Sequence, residues 1–300
     1  MGMGQRKTWD AITNQAYSFS ADDEKWLELH PVPGTVGRIG AAAIGARDHV
    51  FLAGGYAVDA QGGAVAVPDL NVYRPISDHW LRGADLLVPV ADSVIGVYHD
   101  RYIYLVGGRS MRGPVSDVQM YDAEKDKWSQ ATPLPGAPVF GHAGALVDDI
   151  FVYVDGAAKD PSGKGFIASD ECWMGKIDHH DPAKITWTKL PPHPGTARYR
   201  IAAGGSPHDQ MVYFAGGTNT PYDYKGIGYD GQPAEPSPVV FAFNLRSGKW
   251  QTISDNGANP TMDQHVLVVV SEHLLIVGGM EKGQQVTAKV AVIPKTEKAK

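Results

Sequence analysis

A single cysteine, Cys172, in 300 residues excludes an intrachain disulfide. Basic charge is also short: 27 Lys and Arg against 33 Asp and Glu give a formal net charge of -6. A nucleic-acid binder needs a basic face for phosphate contacts, so the chain is not expected to bind nucleic acid. No apolar run approaches the length of a membrane span. The opening Met1-Gly-Met-Gly-Gln-Arg-Lys lacks the apolar core of a secretion signal. As given, the chain reads as cytoplasmic, and a signal upstream of Met1 would make it periplasmic. What remains is 43% hydrophobic residues with 35 glycines, enough for a large core.

Those glycines are not scattered. Pairs close hydrophobic runs at Phe51-Leu-Ala-Gly-Gly55, Ile103-Tyr-Leu-Val-Gly-Gly108, Val212-Tyr-Phe-Ala-Gly-Gly217 and Leu274-Leu-Ile-Val-Gly-Gly279, with a degenerate copy at Phe151-Val-Tyr-Val-Asp-Gly156. An aromatic and then a tryptophan follow three of the pairs: Tyr73 and Trp80, Tyr121 and Trp128, Phe243 and Trp250; Trp187 follows the degenerate copy. A period of about 50 residues built from short strands predicts a radial all-β repeat. Each unit reads as four antiparallel strands: an inner strand a, a strand b ending in the glycine pair, a strand c with the aromatic, and a strand d near the tryptophan. Glycine suits the end of strand b because it tolerates positive φ and close backbone approach.

These copies resemble kelch repeats, which implies a kelch-type β-propeller. The expectation, in preference to a five-bladed ring whose last blade is closed by Lys25 to Leu29, is six blades in a single domain, the first incomplete. Its outer half, Tyr17 to Ser20 and Lys25 to Leu29, lies in residues 1–32, and its strands a and b would fall upstream of Met1. Full units follow at 33–86, 87–135, 136–192 and 193–256, and 257–300 forms a last unit without strand d.

In such a blade the loop into strand a and the loop out of strand b share one end of the central channel. The starts of the inner strands align Arg38, Ser93, His142, Arg200 and Gln264, with Asp92, Tyr199 and Asp263 one residue earlier. Arginines, carboxylates, a histidine and a tyrosine at one mouth suit a small polar anion. Tyr56 and Arg109 follow glycine pairs, and a long loop after Gly217 carries Tyr222 and Tyr224, so these join the expected binding residues. Asp178-His179-His180-Asp181 falls in a c to d turn away from that mouth, and no metal and no cofactor are expected.

Among bacterial kelch proteins the chain is most similar to the sialic acid (N-acetylneuraminate) mutarotase type. The likeness lies in Tyr213-Phe-Ala-Gly-Gly217 with its long Tyr/Gly/Lys loop and in Leu274-Leu-Ile-Val-Gly-Gly279 before a short strand c. The resemblance implies a monomeric sugar-acid isomerase in which Arg38 or Arg200 holds the carboxylate while His142 and Asp92 move protons. The alternative is a non-catalytic module that binds an acidic peptide at the same face.

Overall fold

The computed structural model describes residues 12–20, 23, 25–34, 37–58, 63–223, 226–254 and 260–295. Its strands form five blades around a channel. Blade 1 comprises Ala42–Ala46, His49–Ala53, Leu70–Arg74 and His79–Arg82, paired in that order. Blade 2 comprises Val94–Tyr98, Tyr102–Val106, Val118–Asp122 and Lys127–Ala131; blade 3 comprises Ala143–Val147, Ile150–Val154, Cys172–Ile177 and Ile185–Lys189. Blade 4 is Ala202–Ser206, Met211–Ala215, Val240–Asn244 and Lys249–Ser254, and blade 5 has three strands, Val268–Val270, His273–Val277 and Val290–Pro294. All pairings within the blades are antiparallel, and successive first strands pack side by side along the channel. No helix among the described residues is long and apolar enough to cross a membrane.

The count corrects the six-blade expectation. Among the described residues, Ala16–Ser20 and Lys25–Leu29 pair only with each other, as a two-stranded sheet. A blade needs strands a and b to line the channel, and this hairpin supplies neither. The chain after it is tied to the outer side of blade 1, where Trp80 Nε1 donates to the His30 carbonyl at 2.8 Å. Its aromatic pair is Phe19 and Trp26, with ring centroids 5.0 Å apart.

The recurring residues have recurring jobs. Tyr73 faces Trp80, Tyr121 faces Trp128 and Phe243 faces Trp250 across strands c and d, with centroids 4.7 to 5.1 Å apart. Each indole also donates to a backbone carbonyl in the segment that precedes its blade: Trp128 to Ala84, Trp187 to Thr132 and Trp250 to Pro191. The tryptophan therefore fills the outer blade and staples it to its predecessor. In blade 3 Trp187 faces Gly175, and a Cβ there would lie 2.4 Å from the indole ring. Between blades the interior is apolar, as where Tyr98, Tyr104 and Val106 of blade 2 meet Phe151, Tyr153 and Ile177 of blade 3.

Candidate functional site at the channel mouth

The glycine pair is explained by what the next blade brings against it. A Cβ on Gly54 would lie 2.3 Å from the Val90 carbonyl, and one on Gly216 would lie 2.2 Å from that of Thr261. The second glycine donates its N–H to that same carbonyl, Gly55 to Val90 and Gly217 to Thr261, as Gly108 does to Val139. At these two contacts only glycine fits.

One residue leading into each inner strand takes left-handed backbone: Gly40, Asp92, Gly141, Arg200 and Asp263, with φ of 65, 55, 59, 51 and 67°. A chain of bonds links them from blade to blade. Asp92 N–H donates to the Gly40 carbonyl, Gly141 to Asp92, Arg200 to Gly141 and Gln264 to Arg200, at 2.8 to 3.3 Å. The left-handed turn aims each carbonyl at its neighbour, and three side-chain-bearing residues accept that conformation. Those three, Asp92, Arg200 and Asp263, are the residues whose charges meet.

Arg200 donates from Nη2 to Asp92 Oδ2 at 2.8 Å and from Nη1 to Asp263 Oδ1. Its guanidinium lies over the rings of Tyr199 and Tyr222, 5.1 and 5.4 Å from their centroids. The Tyr222 hydroxyl donates to Asp263 Oδ1 at 3.0 Å, and the Tyr56 hydroxyl also bonds Arg200. His265 Nε2 stands 3.1 Å from Asp92 Oδ1. Burial disfavours both charges, but each is outweighed: Asp92 and Asp263 hold the guanidinium protonated, and Arg200 with His265 hold Asp92 far below the usual carboxylate range. Burial raises the Tyr56 hydroxyl to about 12, so it stays neutral.

The structure thus gathers Asp92, Tyr199, Arg200, Asp263, Tyr222 and Tyr56, and brings in His265, whose phase the sequence reading did not use. Ser93, His142 and Gln264 share the next position along. Ser93 Oγ donates to the Gly107 carbonyl and Gln264 Nε2 to the Gly278 carbonyl, tying each inner strand to its own glycine pair. His142 is buried with neither ring nitrogen in a well-formed hydrogen bond, and burial lowers its pKa to about 4. It is a neutral imidazole at pH 7.

Arg38 is elsewhere. It lies two residues before the left-handed Gly40 and not at the position of Arg200, so aligning the two arginines placed it out of phase. Its guanidinium, 1% exposed, donates to Asn71 Oδ1 at 2.6 Å and to the Leu52 and Asp69 carbonyls inside blade 1. Burial lowers it to about 10, and its charged neighbours are Asp69 and Arg82. Arg109 sits over Phe140 and Phe166, 5.3 and 5.1 Å from the ring centroids, and bonds Tyr229. Tyr224 lies outside the described residues. Asp178-His179-His180-Asp181 is a turn in which Asp178 accepts the His180 and Asp181 N–H groups, and His179 Nε2 contacts Asp149 Oδ2 at 3.2 Å.

Around the mouth the post-glycine segments rise as short hairpins: Tyr56–Val58 with Ala64–Ala66, Arg109–Ser110 with Gly113–Pro114, Ala157–Lys159 with Phe166–Ala168, and Met280–Glu281 with Gln285–Val286. Three of them expose apolar side chains, Val65 (50%), Met111 (66%) and Ile167 (46%). Beside Ile167 the hairpin of blade 3 and the long loop of blade 4 enclose a groove of about 570 Å³, walled by Phe166, Tyr229, Asp160, Lys164, Thr220 and Asp230.

The sequence profile of the Attractin/LZTR1 β-propeller family matches residues 4–288. Kelch-like protein 36 of Bos taurus is 32% identical over 145 residues, 48% of this chain and 23% of that protein. Kelch-like protein 15 of Gallus gallus is 30% identical over 132 residues, 44% of this chain and 27% of that protein. The chain therefore spans about a quarter of the length of these relatives. A solved structure described as that of YjhT superposes with a TM-score of 0.79 at 19% identity, covering 98% of this chain and 90% of that one, which shows the fold. With glycine pairs, aromatic staples and a family match over nearly its whole length, the chain belongs to the Attractin/LZTR1 β-propeller family, a kelch-type propeller.

Proposed function

We propose that the chain is a protein-docking module that engages its partner through the hairpin rim around the channel mouth. The observation that carries this is the row of exposed apolar tips, Val65, Met111 and Ile167, on successive blades at one end of the propeller. The neighbouring hairpins touch, since the Ala66 N–H meets Met111 Sδ at 3.2 Å, so the tips form one surface. An apolar surface rimmed by polar groups is the physical signature of a macromolecular contact.

The sugar-acid reading, with mutarotase activity at Arg200, His142 and Asp92, requires a cation free to take a carboxylate. Arg200 already holds two carboxylates of its own chain, and Tyr222 covers it. Binding an anionic sugar there means breaking that arrangement without replacing its charge balance. The acidic-peptide version of docking meets the same obstacle at Arg200, which favours the apolar rim as the contact.

A photo-crosslinking amino acid placed at 111 or 167 tests the reading against one at 76. Ile76 is 98% exposed but sits in the c to d turn of blade 1, at the opposite end. Adducts with proteins of the source cell are expected from 111 and 167, and their loss on Ile167→Glu. Adduct levels no higher than from position 76 would sink the docking face. In parallel, N-acetylneuraminate at millimolar concentration is expected to leave the NMR spectrum of the mouth unchanged; a shift there with faster anomer exchange would restore the enzyme reading.

A further inference from the structure

Blade 3 departs from the glycine rule. Where the other blades carry Gly54, Gly107, Gly216 and Gly278, it carries Asp155, at φ +62°, a conformation that aspartate accepts more readily than most side chains. The Asp155 carboxylate is buried; Oδ2 accepts the Arg198 N–H at 2.9 Å and stands 2.8 Å from His193 Nε2, while Oδ1 has no hydrogen-bond partner.

The other ring nitrogen of His193, Nδ1, lies 2.8 Å from the Pro194 carbonyl, which only accepts. Nδ1 therefore carries a proton, and in the neutral ring Nε2 turns its lone pair toward Asp155. Two acceptors 2.8 Å apart must share a cation, either a proton or a metal ion. A backbone carbonyl on the remote nitrogen is the arrangement that orients metal-binding histidines.

The third group is the chain's one cysteine. Cys172 Sγ, Asp155 and His193 place their ligand atoms within 4.8 Å of one another, and all three residues are buried. Burial pushes the Cys172 thiol up to about 12, so without an ion it is protonated, and the His193 backbone N–H hydrogen-bonded to it offsets only part of that rise. The imidazole is stacked on Phe241, with centroids 4.4 Å apart and planes at 13°, and lies edge-on to Trp250, so its orientation is set by packing.

We propose that Asp155, Cys172 and His193 form a binding site for one divalent cation of the zinc class. The mixed oxygen, sulfur and nitrogen donor set suits that ion over calcium or magnesium, which take oxygen ligands. The site joins the end of strand b and the start of strand c of blade 3 to the segment leading into blade 4, so the ion would staple two blades. Binding releases to solvent the Cys172 thiol proton and the proton shared by Asp155 and His193, so affinity rises with pH. The site is distinct from the Asp178 to Asp181 turn.

Cobalt titration of chelator-stripped full-length protein, followed by absorbance, tests this. A thiolate-to-cobalt charge-transfer band saturating at one ion per chain is expected, with zinc displacing it and raising the melting temperature. Cys172→Ser should abolish the band, and His193→Gln should weaken zinc binding at least about 100-fold. His179→Ala/His180→Ala should leave both unchanged. Because the buried variants can fail to fold, the wild-type protein carries its own test: about two protons released per zinc at pH 7. A folded wild-type chain that gives no thiolate band, or that binds zinc only through His179 and His180, would overturn the proposal.

Discussion

Replacing Arg200 by methionine tests whether the mouth is a closed electrostatic unit. The substitution keeps an unbranched side chain against Tyr199 and Tyr222 but removes the cation from Asp92, whose side chain is 3% exposed. Breaking a buried pair by deleting one partner costs about 3–5 kcal/mol, because the remaining charge is left desolvated. At about 2–4 °C per kcal/mol, the melting temperature should fall by roughly 10 °C. The pH dependence is the sharper readout. In the wild type Asp92 is depressed, so its contribution is present above the ordinary carboxylate pKa and is lost as pH falls through the lower folded value. Without Arg200, burial dominates and lifts Asp92 above its unfolded pKa, so the folded variant takes up a proton first. Its stability deficit should therefore narrow between pH 7 and pH 5 in urea unfolding. The double variant Asp92→Asn/Arg200→Met should recover part of the loss. A deficit below about 1 kcal/mol, or one that widens on acidification, would refute the reasoning.

His142 is neutral and buried with its pKa lowered to about 4, so the unfolded state takes up protons first as pH falls from 6.5. The protein should lose up to roughly 3 kcal/mol across that window, and His142→Leu should flatten that slope in urea titrations at several pH values. Gly108→Ala places a Cβ 2.3 Å from Ser93 Oγ at φ +104°; backbone strain alone predicts a loss of about 1–3 kcal/mol, readable by calorimetry.

Much of the architecture was legible because its cause is local and repeated. A glycine pair closes the second strand of four of the five blades, and an aromatic opposite a tryptophan marks the outer hairpin of three, so strand type and order followed from spacing. The blade count did not follow. Tyr17 to Leu29 has the pattern of an outer hairpin, and pattern alone does not show whether inner strands accompany it. The sequence drew Asp92, Tyr199, Arg200 and Asp263 toward one mouth, and there Asp92, Arg200 and Asp263 share one offset from their strands, Tyr199 lies one residue earlier, and Arg200 stands one residue before the position of Ser93, His142 and Gln264 with which it was aligned. Arg38 was misplaced because one- and two-residue offsets in irregular segments turn a side chain from the channel into the blade, and nothing in the residue types reveals the offset.

The sequence by itself determined an all-β radial repeat of the kelch type, because glycine and aromatic periodicity encode short-range sterics. Only the tertiary structure decided what the charged residues do. Whether Arg200 is a free anion site or an internal tie depends on Asp92 and Asp263, which lie 108 and 63 residues away in the chain and meet it only when blades 2, 4 and 5 close around one channel.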